Sequence, residues 1–150
     1  MRNAFTLAVL AFCLNILSST QAQSAKPLNV DPEQVQRVEI LYFPERILVR
    51  AALTPESLEQ LCQYKLEIKE VHQSAEWQQL RSLLAGTLVT PSGHRYDHRT
   101  AVLLFDQKGK RIASLYFGQF GIGGTINGES VSITGGMYQW VKSLLKGIAE

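Results

Sequence analysis

Thr100-Ala101-Val102-Leu103-Leu104-Phe105, Asp106-Gln107-Lys108-Gly109-Lys110 and Arg111-Ile112-Ala113-Ser114-Leu115-Tyr116-Phe117 form the stretch on which the fold turns. The first six residues are apolar on both faces, which marks a strand covered on both sides and so central. The polar run at 106–110 is a turn, and Arg111 to Phe117 returns. Strands joined this tightly run antiparallel.

Downstream, Gly118, Gly121, Gly123 and Gly124 make a glycine-rich segment. Asn127-Gly128 is the strongest short hairpin signal, because both central positions of that turn need positive φ. It joins a strand at Thr125-Ile126 to one at Val131-Ser132-Ile133. After Gly135-Gly136, residues Met137, Trp140, Val141, Leu144, Leu145 and Ile148 fall on one helical stripe, which should dock on the sheet.

Upstream, Tyr64 to Lys69 alternates strictly, predicting a half-buried strand with Lys65, Glu67 and Lys69 on its wet face. Val38 to Phe43 reads as a strand, Pro44-Glu45 as a turn and Ile47 to Leu53 as the returning strand of a hairpin. Thr54-Pro55-Glu56 starts a helix, with Leu58, Leu61 and Cys62 on one face. Ser74 is read as the cap of a second helix, with Trp77, Leu80 and Leu84 inward and Gly86 ending it. Residues 87–99 read as a polar connection. The expected fold class is α+β: one small domain over 34–150, with a mainly antiparallel sheet, two or three helices on one face and a C-terminal amphipathic helix. Residues 23–33, with Pro27, Asp31 and Pro32, read as a flexible leader, with order beginning near Gln34.

The first residues carry a different message. Arg2, the apolar run Ala4–Leu17 and the polar stretch Ser18–Gln23 have the three-part layout of a secretory signal peptide. Thr20 and Ala22 favour cleavage after Ala22, so 1–22 is expected to leave. A spanning helix needs about 20 largely apolar residues, longer than this run, so no membrane insertion is expected afterwards. Leu10-Ala11-Phe12-Cys13 only faintly resembles a lipoprotein box, since Phe12 stands where a small residue belongs. The expected location is periplasmic or secreted.

The chain has 15 Lys and Arg against 13 Asp and Glu, and cleavage removes Arg2 alone among these. A near-neutral domain lacks the basic footprint of a nucleic-acid binder and the polybasic cluster of a membrane-surface binder. Cys13 leaves with the signal, so Cys62 has no partner for an internal disulfide and is expected to be buried. An exported domain without disulfides fits a bacterial periplasm.

Two segments carry candidate chemistry. In Gly93-His94-Arg95-Tyr96-Asp97-His98-Arg99, a helix would bring His94 and His98 onto one face, and with Asp97 they could hold zinc. Pro91, Ser92 and Gly93 argue for a loop instead, and no Glu completes a His-Glu-x-x-His motif. Arg95, Tyr96, Asp97 and Arg99 would make an interface patch, since Tyr and Arg are favoured anchors. In the glycine-rich segment, a dinucleotide fingerprint fails because Ile126 holds the third glycine position and a strand follows. Phe120 and Ile122, alternating with glycines, either fold under the loop or wait for a partner.

Elsewhere the chemistry is thin. No Gly-x-Ser-x-Gly organises a nucleophile. Cys62 lacks an adjacent base, His72 being the nearest histidine in sequence. Glu56 with Glu59, and Glu67 with Glu70, do not read as a glycosidase pair. Trp77 and Trp140 lie on apolar helical stripes and read as core. These observations favour an exported protein-binding module of inhibitor, immunity or envelope-adapter type over an enzyme, with no cofactor. The alternatives are a small metal-dependent hydrolase using His94, Asp97 and His98, and an apolar-ligand carrier with its pocket between the sheet and the Trp140 helix.

Overall fold

The computed structural model describes residues 24–146. The expected signal peptide and cleavage site, Cys13 and Ile148 lie outside the described residues. The elements are β1 (Lys26–Pro27), β2 (Arg37–Tyr42), α1 (Pro55–Leu61), β3 (Tyr64–Ile68), α2 (Trp77–Gly86), β4 (Leu88–Pro91), β5 (His98–Phe105), β6 (Arg111–Gly118), β7 (Gly123–Ile126), β8 (Glu129–Thr134) and α3 (Met137–Leu145). They make a single α+β domain around one 8-stranded antiparallel sheet, in the order β1-β4-β8-β7-β6-β5-β2-β3.

The turns follow from local chemistry. Asp106 Oδ1 accepts the N–H groups of Lys108 and Lys110, each at 2.9 Å, closing the β5–β6 turn. Asn127 and Gly128, at φ 49° and 89°, close the β7–β8 hairpin. Thr54 caps α1, its Oγ1 accepting from Ser57 N at 3.2 Å.

Every residue of β5 is buried, because both faces of the sheet are covered. On one face Ile40, Val102, Leu115 and Ile126 form a continuous row, and Trp77, Leu80 and Leu84 of α2 and Met137, Trp140, Val141 and Leu145 of α3 belong to the same cluster. On the other face Leu41, Ala101, Leu103, Phe105 and Tyr116 pack with Phe43, Leu53 and Leu58. The expectation that all helices share one face is corrected: α1 covers the side opposite α2 and α3. That second cover is why the neighbours Tyr42 and Phe43, and Tyr116 and Phe117, are all buried.

Five local readings are also corrected. Residues 44–53 form no strand; β2 pairs with β3 and β5, and Arg99 holds the loop carbonyls in place of a ladder. The connection 87–99 contains β4, and His98 and Arg99 already belong to β5. Leu61 is exposed and Cys62 only half-buried, because α1 ends there. Ser74 closes a 3-10 turn through Val71 O at 2.8 Å, while Glu76 precedes α2. The stretch read as a leader is partly ordered: Lys26 and Pro27 pair with Val89 and Leu88, and Leu28 is buried. From there residues 28–36 lead from one margin of the sheet to its far side, passing α2, where Arg81 and Glu33 pair at 3.1 Å.

Candidate functional site

The antiparallel ladder brings three connections to one end of the sheet: 44–53 after β2, 92–97 before β5 and 119–122 between β6 and β7. Asp97 and Arg99 tie them together. Arg99 Nε and Nη2 donate to Asp97 Oδ2 at 2.8 and 2.6 Å. Its Nη1 reaches Ile47 O at 2.9 Å, and the guanidinium lies 5.3 Å from the centre of the Phe43 ring. Asp97 Oδ1 accepts from Leu53 N at 2.8 Å, and Asp97 O accepts from Gln119 N at 3.1 Å. An ion pair this enclosed is satisfied by several bonds at once, as burial of charge requires.

His98 is only 4% exposed. Its Nδ1 lies 2.9 Å from Leu53 O, a group that only accepts, so Nδ1 carries the hydrogen. Nε2, 2.9 Å from Thr125 Oγ1, then accepts the hydroxyl proton. Burial pushes its pKa below the ordinary 6.5, opposed by the Leu53 carbonyl and the Asp97 charge. Both ring nitrogens are thus occupied by protein groups. His94 is exposed, and its backbone is held by Ser92 and Ser130. The structure does not bring His94, Asp97 and His98 together, and no metal-binding group of three occurs among the described residues.

Tyr96 packs inward, against glycines. A Cβ at Gly123 would fall 2.4 Å from its Oη, and one at Gly118 within 3.2 Å of its ring. Its hydroxyl bonds Ser92 Oγ at 3.0 Å. Gly121 likewise lies against the Tyr138 ring, and the Tyr138 hydroxyl donates to Glu45, joining the first loop to α3. Burial first, then Glu45, pushes the Tyr138 phenol well above its ordinary 10.0.

Tyr96, Asp97 and Arg99, read from sequence as interface residues, therefore hold loops in place. The outward groups are others. Leu48, Phe120 and Ile122 are 94%, 65% and 74% exposed. Phe120 is also held at φ 73°, a left-handed conformation that costs a bulky residue about 1–3 kcal/mol. Arg46, Arg50 and Arg95 are exposed beside them on the same loops and pair with no described acidic residue. The acids of these loops, Glu45 and Asp97, are both engaged. The loops at this end thus carry three exposed apolar side chains and three exposed arginines. Arg95, Phe120 and Ile122, expected from the sequence as binding residues, are exposed; Leu48 and Arg50 fall in 47–53, which the sequence suggests is a strand.

A carrier pocket finds no support at the Trp140 helix, where Trp140 is packed into the core at 2% exposure. Two clefts, of about 300 and 400 Å³, open at the other end of the sheet and are lined by polar residues such as Gln36, Asp106 and Gln107. No helix among the described residues is long and apolar enough to cross a membrane. No family model, curated protein or solved structure matches the chain.

Proposed function

We propose that this is an exported protein-binding module whose partner docks on the loop end of the sheet. One observation carries the reading: Leu48, Phe120 and Ile122, three of the five exposed large hydrophobic side chains among the described residues, belong to loops gathered at that end. Exposed apolar groups clustered within a polar rim mark interaction surfaces. The rim is arginine, favoured at interface anchors, and its acids are internally paired. The complementary partner is a protein segment with acidic groups around an apolar centre. Export rests on the signal-peptide layout of residues 1–22. A role as inhibitor, immunity protein or envelope adapter is compatible with such a surface.

The test uses Phe120→Asp with Ile122→Asp. Wild-type protein should retain a stoichiometric partner from periplasmic extract, and the double variant should lose it with an unchanged melting temperature. Recovery of no partner, or of the same partner by both proteins, would sink the proposal. N-terminal sequencing of the exported product should begin at Gln23.

A further inference from the structure

β3 forms one margin of the sheet, paired to β2 on one side. Its outer edge makes no backbone hydrogen bond to a described residue. Tyr64, Leu66 and Ile68 face the larger core cluster yet stay half-buried, since no further strand lies beside them. Lys65 and Glu67 stand on the opposite face and are more exposed.

We infer that this edge is a self-pairing surface: a second copy of the chain adds antiparallel to β3 about a two-fold axis through Leu66. Residues directly opposite in such a pair share a face. Keeping apolar opposite apolar requires the axis to pass through a residue, because a slip of one swaps the faces. An axis through Lys65 sets that lysine against its own copy. An axis through Glu67 sets two carboxylates together and Lys65 against Lys69. An axis through Leu66 sets Lys65 against Glu67 twice, Tyr64 against Ile68 twice and Leu66 against itself. Of the three, this register alone matches both charge and apolarity.

In a single chain Lys65 already meets Glu39 at 2.8 Å, so facing the second copy's Glu67 would extend that charge cluster. Within one copy Glu67 stands directly opposite Glu39 across β2. Arg37 and Lys69, at 3.1 and 3.5 Å, relieve that repulsion. The second copy's Lys65 brings a further cation to the outer flank of Glu67. Lysines on edge strands ordinarily prevent such pairing. Here the glutamate between Lys65 and Lys69 reverses that effect in one register.

Sedimentation of purified protein at rising concentration should show a monomer–dimer equilibrium. Glu67→Lys and Lys65→Glu should each weaken self-association by about tenfold or more, since both cross-strand pairs become like-charged. Mixing the two variants should restore wild-type association, because the two lysines of one then face the two glutamates of the other. Amide exchange at 64–68 should slow as wild-type protein is concentrated, a readout that needs no variant to fold. A wild type that stays monomeric overturns the inference. So do variants that associate as wild type does, a mixture no stronger than its components, or a dimer whose 64–68 amides exchange as in the monomer.

Discussion

At one end of the sheet, the turn at Asp106–Lys110 is closed by the Asp106 carboxylate and that at Asn127-Gly128 by two adjacent residues at positive φ. At the other, loops 44–53, 92–97 and 119–122 are held by bonds between residues distant in the chain, such as Leu53 N to Asp97 and Arg99 to Ile47 O. The first arrangement needs only the right turn residues. The second needs a buried ion pair, a buried histidine and glycines that admit Tyr96. It also presents Phe120 in a strained, exposed conformation. The contrast is one reason the more elaborately built end is the one proposed to meet a partner.

The sharpest way to break the contrast is Arg99→Ala. Removing one partner of a buried pair should cost about 3 kcal/mol in denaturant unfolding, at the low end for such pairs because Asp97 is partly exposed. A loss under about 1 kcal/mol would mean that the loops hold themselves, as the opposite turns do. Next comes a pair of glycine substitutions. Gly123→Ala drives a methyl into Tyr96 and should cost about 2 kcal/mol. Gly109→Ala meets open space and only its φ of +76° opposes it, so about 1 kcal/mol is expected. Equal melting-temperature shifts would erase the difference between the ends.

The smallest effect is in acid. His98 titrates below 6.5 when folded, through burial, and at its ordinary value when unfolded. Between those values the unfolded chain binds more protons, so stability rises with pH there. This contribution is full above about pH 6.5 and is lost as pH falls toward the folded value. The denaturant midpoint should therefore drop on acidification from neutrality, and His98→Gln should flatten that drop. Below about pH 4.5 the Glu59 carboxyl, held down chiefly by its bonds from Arg111, adds a second decline.

What the sequence disclosed follows the same division. Asn127-Gly128 and the 106–110 turn were legible because their geometry is encoded in adjacent residues. So were the stripes Trp77, Leu80, Leu84 and Met137, Trp140, Val141, which repeat with the helix. The supposed hairpin from 38 to 53 failed because the partners of β2 are Tyr64–Ile68 and Thr100–Phe105. Ile47, Val49 and Leu53 spend their apolar character covering the second core cluster instead. β4 was missed because it is short, ends in Pro91 and pairs mainly with a strand far along the chain. At the site, glycine spacing revealed Phe120 and Ile122. The local pairing of Asp97 with Arg99 at the entrance of β5 is legible from their spacing; that the pair would be enclosed by the 44–53 loop is not, since those partners lie more than 40 residues away.

The connection from β1 to β2 has a consequence for the order of assembly. β5 to β8 follow one another and can form as a meander while nascent. β1 has only β4 to pair with, and β4 in turn awaits β8, near the end of the chain. Lys26 and Pro27 therefore cannot pair until β8 has positioned β4, whereas Val35 and Gln36 bond to His72, Val71 and Phe105 without it. Such non-local closure is slow. β1 is thus the strand latched last, after β2 has found β3 and β5 and after the β5–β8 meander is complete.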